Sequence, residues 1–256
     1  MDKIVCFLKF GEKVYLDGIV KCELFFSNAL RFRQIEEKLF IKGQGDKLEG
    51  GSMFYSQNMT MIDNETNEVV MAGVHANMMV HYEPANLLPV YCLFACYEKD
   101  CTRLEDGSLQ FHISDEIKNN IIEHFPKADS VAIIPATEEF IESVVTSIGC
   151  DVKHGKVNYF NLYGFDSEHG KTMDMRYFKY LSQDKEPQKV EGGWKHTFSA
   201  KYVYRSLLCK DEFFAKEQEY RFILPDCKIN EGTIFKINFE GIVDVQPLDK
   251  FWNQMN

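Results

Sequence analysis

Apolar residues in this chain fall mostly into short runs of strand length, and fewer segments show the spacing of a helix. Compact or alternating apolar runs bounded by turn-forming residues are typical of strands. They predict strands at residues 3–10, 23–28, 89–96, 131–134, 156–160, 219–224, 233–239 and 242–245, with two more between 52 and 80 joined by a turn at 63–67.

Five segments are predicted to be helical. Phe32, Ile35 and Leu39 recur at helical spacing. Ser114 and Thr137 each precede a periodic apolar segment, and both residue types are favoured N-caps. The other two helices are predicted at 12–20 and 201–216. Because strands and helices do not alternate strictly along the chain, these elements predict an α+β fold.

Length and composition fit a single globular domain. The chain has 256 residues, of which 45% are hydrophobic and 27% are charged. These values exclude a disordered tail, a collagen-like fibre and a coiled coil. Residues 165–196 form a polar stretch rich in Asp, Glu, His, Lys and Gly. We therefore predict one domain over residues 1–256, with a mobile loop or insertion at 165–196.

The charge balance disfavours tight binding to polyanions. Lys and Arg number 29 and Asp and Glu number 39, which gives a net charge of −10, whereas attraction to nucleic acid or anionic membranes needs clustered cations. A locally basic site is still allowed by five cations in the N-terminal quarter: Lys9, Arg31, Arg33, Lys42 and Lys47. The N-terminus does not resemble a signal peptide, and no apolar run approaches the roughly 18 residues of a membrane span. We expect a cytoplasmic protein without a membrane partner.

The eight cysteines are scattered, and several lie in apolar segments. In a chain expected to be cytoplasmic, they are predicted to be buried and reduced. The spacing of Cys92, Cys96 and Cys101 suggests zinc, but a second pair of ligands is missing, and residues four apart in a strand do not converge. We therefore expect core cysteines and no metal.

Two glutamates at the start of a late apolar strand are the sharpest local feature. Glu217 and Glu219 directly precede a strand predicted to end at Leu224. Side chains two apart in an extended strand point to one face, so both carboxylates are predicted to face one cleft. One interpretation is structural, with Glu219 and Arg221 pairing on a charged strand. The other is a site for acid–base chemistry.

The same residues resemble the ADP-ribosyltransferase superfamily. Its members carry a late glutamate preceded two residues earlier by Glu or Gln, as in Glu217-Gln218-Glu219. Phe25-Phe26-Ser27-Asn28 resembles the motif of its middle strand, and Lys9-Phe10-Gly11 stands where its first-strand residue is expected. The order of motifs is also similar to a family of uncharacterised bacterial and phage proteins with a C-terminal Glu-x-Glu-Tyr-Arg block. The resemblance implies a split, mostly antiparallel sheet with a few flanking helices.

The resemblance also implies roles for individual residues. Glu219 would stabilise positive charge on the ribose, and Glu217 would orient or deprotonate the acceptor. The residues that would bind NAD are Lys9, Phe10, Phe25, Ser27, Arg31 and Arg33. The rings of this set would stack on nicotinamide, the cations would meet the pyrophosphate, and the serine would hydrogen-bond the ribose or hold Glu219. Core packing is the alternative for both rings.

The function implied by the resemblance is transfer of ADP-ribose from NAD, as co-substrate, to a macromolecule without help from a metal. Such a protein would be a bacterial toxin or an antiphage defence effector that modifies RNA, DNA or protein and is held by an antitoxin or regulatory partner. Two alternatives stay open. One is a non-catalytic module that binds a nucleotide or a partner, and the other is a metal-independent nuclease or other hydrolase that uses Glu217 and Glu219.

Overall fold

The computed structural model describes residues 3–39, 46–63, 65–163, 165–166, 170–171, 174–183, 188–190, 193–195 and 198–255. Within these ranges the strands are β1 (Ile4–Gly11), β2 (Glu23–Asn28), β3 (Gly51–Ile62), β4 (Val69–His81), β5 (Pro89–Tyr97), β6 (Cys101–Arg103), β7 (Leu109–Phe111), β8 (Ser130–Ile134), β9 (Lys153–Lys156), β10 (Asn158–Phe160), β11 (Phe165–Asp166), β12 (Gly170–Lys171), β13 (Gln188–Val190), β14 (Gly193–Lys195), β15 (Cys209–Asp211), β16 (Glu219–Ile223), β17 (Thr233–Lys236) and β18 (Asp244–Pro247).

The helices of the described ranges are fewer than the strands. The α-helices are α1 (Lys13–Val20), α2 (Ala29–Leu39), α3 (Asp115–His124), α4 (Thr137–Ser147), α5 (Met175–Leu181) and α6 (Leu248–Asn253). Segments of 3₁₀ helix cover Glu83–Ala85, Ala200–Leu208 and Glu212–Glu217. Among the helices in these ranges, none has the length and apolar character needed to cross a membrane.

Eight of the described strands form one central sheet. Six follow the order β17-β2-β5-β1-β8-β18, while β16 pairs with β5 and carries β9. Every pairing in this sheet is antiparallel. The parallel pair β10–β15 lies outside it. The predicted α+β class with a mostly antiparallel sheet is therefore confirmed.

Strands β1 and β2 share one edge of β5 but separate along it. β1 pairs with β5 from Phe94 to Tyr97, and β2 pairs with it at Pro89 and Val90. Because β16 pairs with β5 from Val90 to Phe94, it overlaps both partners and must occupy the opposite edge. Residues 91–93 therefore face a gap between β1 and β2, which we call the split.

The two faces of the sheet are covered differently. One face carries a large continuous core that includes Phe7, Phe26, Tyr91, Phe140 and Phe222. On the other face, Phe94 belongs to one apolar cluster and Ile223 to a second. Cross-strand neighbours share a face, so Arg221 and its partner Cys92 lie between these two clusters. The middle of a buried sheet face is thus occupied by a charged side chain.

The predicted helix at 201–216 is wrong. This segment contains two 3₁₀ stretches separated by β15, which pairs in parallel with β10. The helix is interrupted because Asp211 binds backbone groups far along the chain. Its Oδ2 accepts from the N–H groups of Leu162 and Tyr163 at 3.0 and 3.3 Å, and its Oδ1 accepts from Phe213 N–H at 3.1 Å.

Two other predictions are wrong in detail. Thr137 is the first residue of α4 rather than its N-cap, because the N–H of Phe140 already bonds the carbonyl of Ala136 at 2.9 Å. The predicted strand 156–160 is divided into β9 and β10. The division occurs because Val157 donates its N–H to the Glu219 carbonyl, after which β10 leaves β16 for β15.

The polar stretch 165–196 contains both described elements and gaps. Residues 167–169, 172–173, 184–187, 191–192 and 196 lie outside the described residues, and the expected mobility falls partly on them. The described part includes α5, whose buried Tyr177, Phe178 and Leu181 join a cluster with Leu48 and Phe160. At least this helix of the stretch is packed against the rest of the domain.

Candidate active site

Glu217 and Glu219 converge, but not by the route that strand spacing predicts. Glu217 ends a 3₁₀ segment, and Gln218 follows with the left-handed backbone angle φ of 42°. This turn brings the Glu217 carboxylate and the carboxylate of Glu219, the first residue of β16, to the same amine. The Gln218 amide donates to Asp100 Oδ2 at 3.0 Å and so holds the turn in place.

Lys210 provides that amine and is not among the predicted site residues. Its ammonium donates to Glu217 Oε2 and, at 2.7 Å, to Glu219 Oε1. The same nitrogen lies 4.1 Å from the centre of the Phe214 ring, a distance at which a cation and an aromatic face attract each other. Only 5% of the lysine side chain is exposed. The ion pair is therefore shielded from water.

Arg221 extends the network to Glu49. Its Nε donates to Glu219 Oε2 at 2.5 Å, and its two terminal nitrogens donate to the two oxygens of Glu49 at 2.6 and 3.0 Å. A two-pronged contact of this kind is strong and geometrically specific. The predicted pairing of Glu219 with Arg221 is confirmed. Glu49 is missed by the prediction, and no local signal identifies it, because it lies 172 positions from its arginine.

His124 closes the other end of the network. Its Nδ1 lies 2.9 Å from Glu217 Oε1, and its ring stacks on Phe213 at 5.7 Å between centroids. The residue reaches the site from the last turn of α3. Both oxygens of Glu217 are thus occupied, one by His124 and one by Lys210.

The network separates the proton affinities of the two glutamates. Burial raises the pKa of Glu217, and the nearby charge of Lys210 only partly opposes this. Burial also disfavours the ionised form of Glu219, but the charges of Arg221 and Lys210 outweigh it and hold the pKa of Glu219 well below its ordinary value. Glu219 is therefore ionised at neutral pH, while Glu217 binds a proton more readily.

Lys9 lies in the split of the sheet. Its ammonium donates to the Cys92 carbonyl at 2.6 Å, which belongs to the part of β5 that neither β1 nor β2 covers. Burial lowers the pKa of Lys9, while the negative charge of Glu219 acts in the opposite direction. The predicted cofactor-binding lysine therefore interacts electrostatically with the predicted catalytic glutamate.

Ser27 and Arg33 are both buried. The Ser27 hydroxyl has no hydrogen-bond partner in the described part of the chain, and Ser27 pairs with β5 where β2 borders the split. Arg33 donates to the Glu49 carbonyl and to Asn86 Oδ1, at 2.6 Å in both cases. It therefore holds the backbone of a network residue. Lys42, from the predicted basic set, lies outside the described residues.

The structure does not bring Phe10, Phe25 and Arg31 to the network. Phe10 is buried and stacks on Trp252 at 5.9 Å, as the core-packing alternative predicts. Phe25 is 50% exposed, and the guanidinium of Arg31 lies 5.6 Å from its ring centre. Within the described ranges, no contact joins any of the three to Glu219.

Comparisons with known proteins do not indicate what chemistry the site performs, so its chemistry has to be argued from its geometry. No protein-family model, curated protein or solved structure matches the chain.

The chemistry that this site could perform depends on its buried charges. Burying carboxylates together with cations costs desolvation free energy that ion pairing often fails to offset, so such a network is weak evidence for a purely stabilising role. Strongly shifted pKa values in a buried cluster are instead common at functional sites. Neighbouring carboxylates with opposite shifts suit the separate roles of acid–base catalysis. Within the described part of the chain, these carboxylates form no group with the spacing of metal ligands.

Proposed function

We propose that the chain is an ADP-ribosyltransferase that uses NAD as co-substrate, with Glu219 and Glu217 as its catalytic carboxylates. The observation that carries this proposal is that the pKa values of these two neighbouring buried carboxylates shift in opposite directions. Despite burial, Arg221 and Lys210 lower the pKa of Glu219, whereas burial raises the pKa of Glu217. One group is thus suited to stabilise a cation and the other to take up a proton.

The reaction would use these two properties in turn. Breaking the bond between ribose C1′ and nicotinamide builds positive charge on the ribose, as glycoside cleavage does. An ionised Glu219 that accepts a hydrogen bond from a ribose hydroxyl stabilises this charge most in the transition state. As the acceptor forms its bond to C1′, its proton passes to Glu217, because a carboxylate with a raised pKa binds a proton more readily.

The split supplies polar groups that a dinucleotide would engage. Lys9 from β1 and Ser27 from β2 lie on the two strands that border it, and the Ser27 hydroxyl has no partner in the described residues. A cation suits a phosphate, and a buried hydroxyl suits a ribose or an amide. NAD bound across the split would bring its ribose toward Glu219.

Turnover would require one hydrogen bond of Glu219 to be exchanged. Lys210 and Arg221 occupy the two carboxylate oxygens. If Lys210 moves away, it keeps Glu217 as a partner, whereas release of Arg221 Nε would leave a buried donor unsatisfied. We therefore infer that the ribose hydroxyl displaces Lys210.

A second candidate function is a non-catalytic module that binds a nucleotide or a partner. The occupancy of both Glu219 oxygens favours it, because a fully paired carboxylate is suited to hold the fold together. In either case, a macromolecular acceptor, a role in toxicity or antiphage defence, and an antitoxin or regulatory partner stay predictions that follow from the sequence resemblance.

The proposal is tested by incubating the purified chain with NAD and measuring nicotinamide release by chromatography. Transfer of labelled ADP-ribose to protein and nucleic acid from a lysate is the second readout. We expect the wild type to release nicotinamide and Glu219→Gln to lose at least about 100-fold of this activity, the usual cost of removing a group that stabilises transition-state charge. Glu212→Gln changes an exposed glutamate of the adjacent 3₁₀ segment and should keep full activity.

Melting temperatures of all three proteins separate a loss of catalysis from a loss of folding. Wild-type turnover in a folded Glu219→Gln variant would contradict the assignment of the catalytic glutamate. A wild-type chain that is stabilised by NAD but releases no nicotinamide would favour the non-catalytic module.

A further inference from the structure

Three buried cysteines meet on the sheet face that carries Phe94. Cys6 of β1 and Cys96 of β5 are direct cross-strand partners, and Cys101 begins β6. Each is at most 1% exposed. Their sulfur atoms all lie within 4.8 Å of one another. Cys92 is not part of this group, in agreement with the expectation that Cys92 and Cys96 do not converge, but Cys6 completes a group of three with Cys96 and Cys101.

The three sulfurs lie close enough together to share one metal ion. A zinc–sulfur bond of about 2.3 Å in tetrahedral geometry places any two sulfur ligands about 3.8 Å apart. A disulfide requires closeness of only one pair, and cysteines that serve as small apolar side chains require none. A metal site, by contrast, requires each of the three sulfurs to lie close to the other two, as they do here.

A pocket borders the cysteine group at Cys101. This residue lines an open pocket of about 580 Å³. Its lining carries charges of both signs, with Glu98, Glu138 and Glu139 acidic and Lys3 and Arg103 basic. Because Cys101 borders this pocket while Cys6 and Cys96 are fully buried, the pocket is the side from which a fourth ligand would come.

We propose that Cys6, Cys96 and Cys101 bind one Zn²⁺ ion through three thiolates, with water from the pocket as the fourth ligand. Binding converts three thiols into thiolates and releases three protons, so zinc affinity rises with pH. The ion would fasten the short β6–β7 hairpin to the central sheet, since the ligands come from β1, β5 and β6. This site is separate from the Glu217–Glu219 network and does not depend on NAD.

Cobalt provides the probe because Co²⁺ replaces Zn²⁺ and reports thiolate bonds by absorption. The reduced full-length chain, stripped with a chelator, is titrated with Co²⁺. We expect one equivalent to produce sulfur-to-cobalt bands that Zn²⁺ then abolishes. Cys6→Ser, Cys96→Ser and Cys101→Ser should each weaken binding by roughly tenfold or more, since changes even outside the ligand shell cost that much. Cys22→Ser removes a cysteine outside the group and should bind as the wild type does.

X-ray absorption of the zinc-loaded wild type keeps the test independent of how the variants fold. Three sulfur ligands at about 2.3 Å are expected. Failure to bind one equivalent of Co²⁺ or Zn²⁺, or a ligand shell with fewer than three sulfurs, would overturn the proposal. So would metal binding that is lost in a double Cys150→Ser, Cys227→Ser variant but kept in the Cys6→Ser variant, because Cys150 and Cys227 form another close pair of thiols.

Discussion

Arg221 bonds two carboxylates, Glu49 and Glu219, while only 1% of the residue is exposed. We expect Arg221→Leu to lower the free energy of unfolding by about 3–5 kcal/mol, because breaking a buried pair leaves uncompensated charge in the interior. Urea denaturation followed by circular dichroism measures this change.

The matched control is Lys216→Met. Lys216 pairs with Glu116 at 2.8 Å, but both side chains are largely exposed. Exposed pairs of this kind contribute less than about 1 kcal/mol. A loss in the Arg221 variant no larger than that of the control would mean that the buried network adds little to stability.

The buried carboxyl group of Asp46 should make the stability of the fold depend on pH. Its Oδ1 accepts from Leu48 N–H at 2.8 Å, while its buried Oδ2 has no partner in the described part of the chain. Burial, followed by the charge of Glu49, raises the pKa of Asp46 to about 7. A carboxyl whose pKa is raised by folding stabilises the fold below its unfolded pKa of about 3.9. That stability is lost as pH rises through the folded pKa.

Asp46→Asn keeps the Oδ1 acceptor but cannot ionise. We therefore expect the variant to become more stable relative to the wild type between about pH 4 and about pH 8. Thermal denaturation at both ends of this range measures the difference. A constant difference across the range would contradict the raised pKa.

Only part of the site can be predicted at the scale of residues. Glu217, Glu219 and Arg221 stand within one short segment, so their charges and the strand periodicity indicate a cluster. Glu49 and Lys210 carry no such signal. Each reaches the cluster through long-range strand pairing or loop packing, and a charged residue in a local pattern is normally assigned to solvent.

At the scale of elements, the apolar patterns identify most strands of the central sheet, but they wrongly predict one helix over residues 201–216. Val203, Leu207 and Leu208 are buried and have helical spacing, and so predict one continuous helix. The interruption is set by β10, which pairs with Cys209–Asp211. Pairing between segments some fifty residues apart is not encoded in the local period.

Asp211 links β15, which contains Lys210, to the segment that follows β10 and to the next 3₁₀ segment. Its removal therefore tests how these elements are held together. We expect Asp211→Ala to destabilise the chain by about 1–3 kcal/mol, because three backbone N–H groups, those of Leu162, Tyr163 and Phe213, would lose an acceptor. Hydrogen exchange should accelerate at these amides. Glu212→Ala, an exposed neighbour, should leave their exchange unchanged; equal acceleration in both variants would contradict the role of Asp211.

At the scale of the whole molecule, the split places a cation within the sheet. Lys9→Met removes that charge and keeps a long unbranched side chain. If the chain binds NAD as proposed, we expect this binding to weaken by about 10–100-fold, the cost of losing a hydrogen bond to a charged group. Stability should change by less than about 2 kcal/mol, since removal of a buried charge offsets loss of the bond to the Cys92 carbonyl.

Calorimetric titration with NAD measures the affinity of the Lys9→Met variant. Lys13→Met, which removes an exposed lysine paired with Asp17, should bind NAD as the wild type does. An unchanged affinity in the Lys9→Met variant would argue against NAD entering the split.

The overall class follows from the order of elements, but the split does not. Periodicity shows which residues of β1, β2 and β5 face a core, whereas the register of each pair decides where β1 ends and β2 begins along β5. The sequence resemblance implies a split sheet; nothing in the periodicity of Leu8, Ser27 or Val90 does so.

The contact between Glu49 and Arg221 also sets when the site can form during protein synthesis. The two residues are 172 positions apart, and ribosomes add about 5–20 residues per second. Glu49 therefore leaves the peptidyl-transferase centre roughly 10–35 s before Arg221 is added. A nascent chain would thus hold an incomplete charge cluster until nearly the whole polypeptide has been made.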